Sequence, residues 1–76
     1  MVEYSGNSII QVIVIDENLN IEGLRNEFKR LGSKTEGTGS NYFVMEVLFD
    51  KSYSPIYKKL NELESAGKIY FAEANI

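Results

Sequence analysis

The sequence predicts an α+β fold: one four-stranded antiparallel sheet carrying two helices on one face. Three observations predict it. Two runs, SIIQVIVID from Ser8 and YFVMEVLF from Tyr42, are apolar, rich in β-branched and aromatic residues, and of strand length. Two other segments space their apolar residues as a helix does: Ile21, Leu24, Phe28, Leu31 and Ile56, Leu60, Leu63. The resulting order is strand, helix, strand, strand, helix, strand. Short connections and right-handed crossovers leave one common solution for it, the ferredoxin-like split βαβ sandwich (βαββαβ), with spatial order fourth, first, third, second. That arrangement makes the first and third strands central, and these are the two most apolar.

Each element has its own local warrant. Met1 to Asn7 is a lead-in to a single domain spanning residues 1–76, with Gly6 and Asn7 as punctuation. The first strand occupies Ser8 to Asp16, and ENLN breaks it. Asn20 caps the first helix, Gly23 costs it about 1 kcal/mol against Ala, and Gly32 supplies the left-handed stop. SKTEGTGSN reads as a short charged edge strand over Ser33 to Glu36, followed by a hairpin loop over Gly37 to Asn41; charge on an edge protects it against strand addition. The third strand runs Tyr42 to Phe49, and Asp50 to Tyr53 turn the chain. Ser54-Pro55 predicts the start of the second helix, a hydroxyl cap followed by proline at the first helical position, and Gly67 ends it. Ile69 to Ala74 is the last strand.

Size and composition narrow the possibilities. A chain of 76 residues is near the lower end of what folds unaided. It has no Cys and no His, so disulfides, thiolate zinc sites and imidazole ligands are all excluded, and the core must hold the fold. The formal net charge of −3 argues against a phosphate backbone as partner, because that requires a basic stripe. No apolar stretch approaches a membrane span and no basic leader precedes one, so the expectation is a soluble, acidic, cytoplasmic protein without a membrane or nucleic-acid partner.

The central strands lack the alternation of a sheet with one wet face. On the third strand Phe43, Met45, Val47 and Phe49 share one side with no polar member, which assigns that side to the helices. Ile10, Val12 and Val14 are the matching positions on the first strand. With Leu24, Phe28, Leu60 and Leu63 these form the expected core. The open face is then expected to present Ile9, Ile13, Ile15, Tyr42, Val44 and Leu48, relieved by Gln11 and Glu46, with Tyr70 added from the last strand. Scattered exposure of β-branched residues is the bland alternative, but six apolar residues lying wet together are unusual on a soluble monomer and mark an interface.

Chemistry is poorly supported. Asp16 and Asp50 end antiparallel strands and so fall at opposite ends of the sheet, which rules out a carboxylate pair. Asp16, Glu17 and Glu36 could meet beside Lys68, but such a group is far more often a solvated loop than a cation site, and no metal or other cofactor is expected. EGTGSN lacks the spacing of a phosphate loop, and no helix follows it. Lys58 and Glu62 can pair on the outer face of the second helix. RNA-recognition domains with this topology stack bases on central aromatics. Here Val44, Glu46 and Ile13 occupy those outward positions. No catalytic residue can be assigned, and the chain is not expected to be an enzyme.

Three stretches, VEYSGNSIIQV, LRNEFKRLGSKTEG and YKKLNELESAGKIYFAEANI, resemble the bacterial family of unknown function DUF4265 over nearly the whole chain. The resemblance implies a bacterial source, and it implies that the chain corresponds to the C-terminal portion of a longer protein whose N-terminal segment is missing here. The matching motifs are turn glycines, helix stripes and strand ends, so they assign no catalytic role. The fold is also similar to that of small-molecule-sensing regulatory domains of the ACT type. That likeness places a ligand loop at Asp16, Glu17, Asn18 and Asn20, where the glycine that usually follows the acidic residue is absent. The leading expectation is a non-catalytic interaction module whose open sheet face meets a second copy, the missing N-terminal segment or a partner protein. A ligand-sensing regulatory domain is the alternative.

Overall fold

The computed structural model describes residues 7–48 and 53–75. Six elements follow one another as β1 (Asn7–Val14), α1 (Ile21–Arg30), β2 (Lys34–Thr38), β3 (Tyr42–Leu48), α2 (Tyr53–Ser65) and β4 (Ile69–Asn75). The four strands form one antiparallel sheet in the order β2-β3-β1-β4. That is the expected order, read from the opposite edge. β1 pairs with β3 on one side and with β4 on the other without a register break.

The inner face is dry. Ile10, Val12, Phe43, Met45, Val47 and Ile69 from the sheet meet Leu24, Phe28, Ile56 and Leu60 from the helices, all at 0–1% exposure. Burying a side chain of this size contributes roughly 1.5–3 kcal/mol, and in a chain without Cys or His this cluster is the main apolar contribution to the fold. Phe28 packs its ring against Phe43 with centroids 6.2 Å apart. On the β4 side Tyr57 meets Phe71 edge-on at 5.7 Å.

Local signals explain most boundaries. The Asn20 carboxamide accepts from the backbone N–H groups of Glu22 and Gly23, satisfying two of the donors that a helix start leaves open. Gly32 and Gly67 follow the two helices with φ of 112° and 74°, a region that a side chain would strain. Polar contacts also join α1 to its neighbours: Lys59 Nζ of α2 lies 3.0 Å from Glu27 Oε1, and Arg25 donates to the Thr38 hydroxyl of β2.

Several expectations are corrected. β1 ends at Val14, although Ile15 and Asp16 still donate to the Lys68 carbonyl. β2 runs Lys34–Thr38 instead of Ser33–Glu36, because Gly37 is not a turn residue: a bulge between Thr35 and Gly37 absorbs Glu36 and lets the strand continue. The hairpin turn is correspondingly shorter and begins at Gly39. α2 starts at Tyr53, which puts Ser54 inside the first turn and Pro55 at the third position; proline is tolerated there because first-turn N–H groups have no intrahelical partner. Leu63 and Val14 are half-buried at the margin of the core instead of inside it. β4 extends one residue further, to Asn75. Among the described residues no ion pair joins Lys58 to Glu62; Lys59 pairs across to α1 instead. β1 begins at Asn7, which the sequence assigns to the lead-in; residues 1–6 of that lead-in, the core position given to Phe49 and the turn at Asp50 lie outside the described residues.

Phe28 touches both layers and is fully buried. Phe28→Ala is expected to cost about 3–5 kcal/mol, a large part of the total for so small a domain. Urea unfolding followed by circular dichroism checks it. A midpoint close to that of the wild type would show that α1 does not carry the core.

Candidate functional site

Antiparallel register organises the open face into transverse rows. Tyr42, Ile13 and Tyr70 are direct neighbours across β3, β1 and β4. Their exposures are 38%, 37% and 61%, and Ile15, just beyond β1, is 45% exposed. The next row reads Gly37, Val44, Gln11, Ala72, and the one after it Lys34, Glu46, Ile9, Ala74. The face therefore has an aromatic and aliphatic end and a middle of small and medium side chains. Ile9, Gln11, Val44, Ala72 and Ala74 line a shallow groove between them. The alanines create that groove, since they leave β4 lower than its neighbours.

Five of the six residues expected on this face have described side chains, and all five are there: Ile13, Ile15 and Tyr42 exposed, Ile9 and Val44 half-buried. Leu48 continues β3 opposite Asn7 in backbone register, and its side chain lies outside the described residues. Tyr70 stands on the open face and is its most exposed large residue. Gly39 explains how Tyr42 is held. Gly39 N–H donates to the Tyr42 carbonyl at 2.8 Å, and a Cβ at Gly39 would lie 2.1 Å from the ring. The ring thus occupies the space that glycine leaves free, an aromatic covering an edge glycine.

The loop after β1 is organised by its own hydrogen bonds. Asp16 Oδ1 accepts from Asn18 N–H at 3.0 Å, Asp16 Oδ2 lies 3.4 Å from Lys68 Nζ, and Asn20 is committed to capping α1. The Asn18 hydrogen bond holds the Asp16 carboxyl below its ordinary value; partial desolvation opposes it, and Lys68 adds a further lowering. Three of the four residues placed in a ligand loop therefore already have structural partners, and Glu17 is exposed. The recess beside them, lined by Val14, Ile15, Leu19, Ser40 and Asn41 among others, measures 260 Å³, below the roughly 300–1,000 Å³ of small-molecule pockets. Among the described residues no group of three or more acidic side chains is arranged to hold a metal ion, so Glu36 does not join Asp16 and Glu17.

One polar cluster is invisible to hydropathy. Glu73 points to the helix side of β4, in phase with Ile69 and Phe71, and accepts hydrogen bonds from the hydroxyls of Ser8 and Tyr57. A serine donating to a carboxylate has the connectivity of a nucleophile and its base. Ser8, however, has 0% exposure, so no substrate reaches it. The cluster ties β1, β4 and α2 together at one end of the core. Its only trace in the sequence is that Ser8 and Glu73 are each in phase with buried residues.

Comparison with known proteins gives a family without an activity. The model of a family described as "Domain of unknown function (DUF4265)" matches residues 1–71. The chain belongs to DUF4265. No curated protein matches it. Among solved structures, a hypothetical protein from Neisseria gonorrhoeae is similar to this DUF4265 chain with a TM-score of 0.69 at 24% identity, over 93% of this chain and 49% of that one. That likeness concerns the fold, and the chain spans about half the length of the matched structure. No helix among the described residues is long and apolar enough to cross a membrane.

Because the folded Asp16 value is depressed, its stabilising contribution is present above the ordinary carboxylate value of 3.8 and is lost as the pH falls through the folded value. Asp16→Asn is expected to melt slightly below wild type at about pH 7, with the two melting curves converging at about pH 2. Calorimetry at both pH values checks this. A gap that persisted in acid would assign the loss to altered loop geometry instead of the charge.

Proposed function

We propose that this DUF4265 chain is a non-catalytic interaction module of the bacterial cytoplasm whose open sheet face docks on a second copy of itself. The row Tyr42–Ile13–Tyr70, continued by Ile15, carries the reading: four large apolar side chains stand together on the side that the helices do not cover. A contiguous apolar patch rimmed by polar residues is how interaction sites distinguish themselves from ordinary surface. A two-fold face-to-face pair is the simplest cover, because the same patch serves both partners. Lys34 and Glu46, neighbours in register at the polar end of the face, supply one charge of each sign for that rim.

Magnitude sets the strength expected. Four strands spaced about 4.8 Å apart and seven residues long at about 3.3 Å each present a projected footprint of roughly 450 Å². Stable complexes bury about 800 Å² per partner. A single face therefore supports a weak, concentration-dependent pair. Non-catalytic character is supported by the absence of His and Cys and by the inaccessibility of Ser8. The small recess and the internally bonded loop at Asp16 to Asn20 favour the interaction reading over ligand sensing.

Ile13→Glu places a charge in the middle of the apolar row and leaves the inner face untouched. Light scattering behind a sizing column should show the wild type gaining mass with concentration and the variant gaining markedly less, with both chains folded. A wild type that is monomeric throughout, or a variant that associates equally, overturns the second copy as occupant. If full-length protein carrying an additional N-terminal segment shields the face as a monomer, that segment is the occupant instead.

A further inference from the structure

The two edges of the sheet are not equivalent. β2 is short, exposes Lys34 and Glu36, and is broken by a bulge. These are standard protections against strand addition. β4 has none of them in its ladder: seven residues pair with β1 in unbroken register, and among the described residues no strand lies on its outer side. Its guards are the inward-pointing Glu73, held by the Ser8 and Tyr57 hydroxyls, and the Glu64 carboxylate, 3.5 Å from the outward N–H of Phe71, a contact at the limit of a hydrogen bond.

The sequence of this edge is complementary to itself. Ala72 is the midpoint of Ile69–Asn75, so an antiparallel pair centred on Ala72 matches every residue of the strand. On the open face it sets the large Tyr70 against the small Ala74 of the other copy, and Ala72 against its own counterpart. On the helix side it sets Glu73 against Phe71, which keeps the two Glu73 carboxylates from facing each other. A knob meets a gap twice, and no like charges are opposed.

We propose that β4 pairs with β4 of a second copy about a two-fold axis through Ala72, joining two sheets into one of eight strands. Antiparallel partners carry opposed side chains on the same face, so both open faces end up on one side. The continuous face doubles the footprint to roughly 900 Å², reaching the size of a stable interface. Edge pairing is thus a second contact, independent of face-to-face docking, and it makes the weaker contact effective.

The absence of native cysteine makes a direct test possible. In the proposed register the two Ala72 residues form a non-hydrogen-bonded pair, Cα atoms about 4.5 Å apart, within disulfide range. Under mild oxidation Ala72→Cys should convert almost completely to a disulfide-linked dimer on a non-reducing gel. Ala74→Cys, whose two copies would be about 13 Å apart along the strands, should stay monomeric. Face-to-face docking alone holds sheets about 10 Å apart and cannot link Cys at 72, so the link should persist with Ile13→Glu in the same chain. Absence of the link, equal linking at 74, or its loss with Ile13→Glu would each overturn edge pairing. None of these outcomes depends on the fate of the open-face reading.

Discussion

The architecture depends on a mismatch between a sheet that is apolar on both faces and a chain with helices for only one. β1 and β3 each carry two apolar rows. The inner rows, Ile10 and Val12 on β1 with Phe43, Met45 and Val47 on β3, are sealed by Leu24, Phe28, Ile56 and Leu60. Once these are in place the two-residue period of a strand allows no slip, since a shift of one residue would exchange the faces. The outer rows must then emerge on the opposite side. The exposed Tyr42, Ile13 and Ile15 are therefore a necessary consequence of the same strands that build the core.

Much of this was legible in the sequence, for identifiable reasons. Helical spacing from Ile21 to Leu31 with Asn20 before it and Gly32 after it is a local pattern, and local patterns survive folding. The phase of Phe43, Met45 and Val47 assigned both faces of the sheet and hence five of the proposed interface positions. What sequence reasoning missed depends on the partner of each residue. Gly37 reads as a turn glycine until β3 is beside it, where it becomes part of a bulge opposite Val44. Ser54 reads as a cap because Pro55 follows it, and proline is commonest at the first helical position; α2 instead starts at Tyr53. Lys59 leaves its own helix to reach Glu27, thirty-two residues away. The hydroxyls of Ser8 and Tyr57 find Glu73 only when β1, α2 and β4 are assembled.

Small domains without disulfides usually have little stability to spare. Here polar side chains close both ends of the core, while those on the open face lie beside the apolar row of Tyr42, Ile13 and Tyr70. Glu73 holds β4 to β1 and α2 at one end, while Asp16 and Lys68 join the β1 loop to the start of β4 at the other. With both ends of the sheet tied down, the apolar face can be presented as a flat, preformed surface, which lowers the ordering cost of association.

The central claim, that the outer row is covered by another copy, is tested most directly by isoleucine-methyl NMR with a soluble paramagnetic agent. At high protein concentration the methyls of Ile13 and Ile15 should be protected almost as well as those of Ile10 and Ile56, and on dilution only the first two should lose their protection. Ile13 and Ile15 methyls relaxed by the agent equally at every concentration would show that the face stays wet and contradict the account.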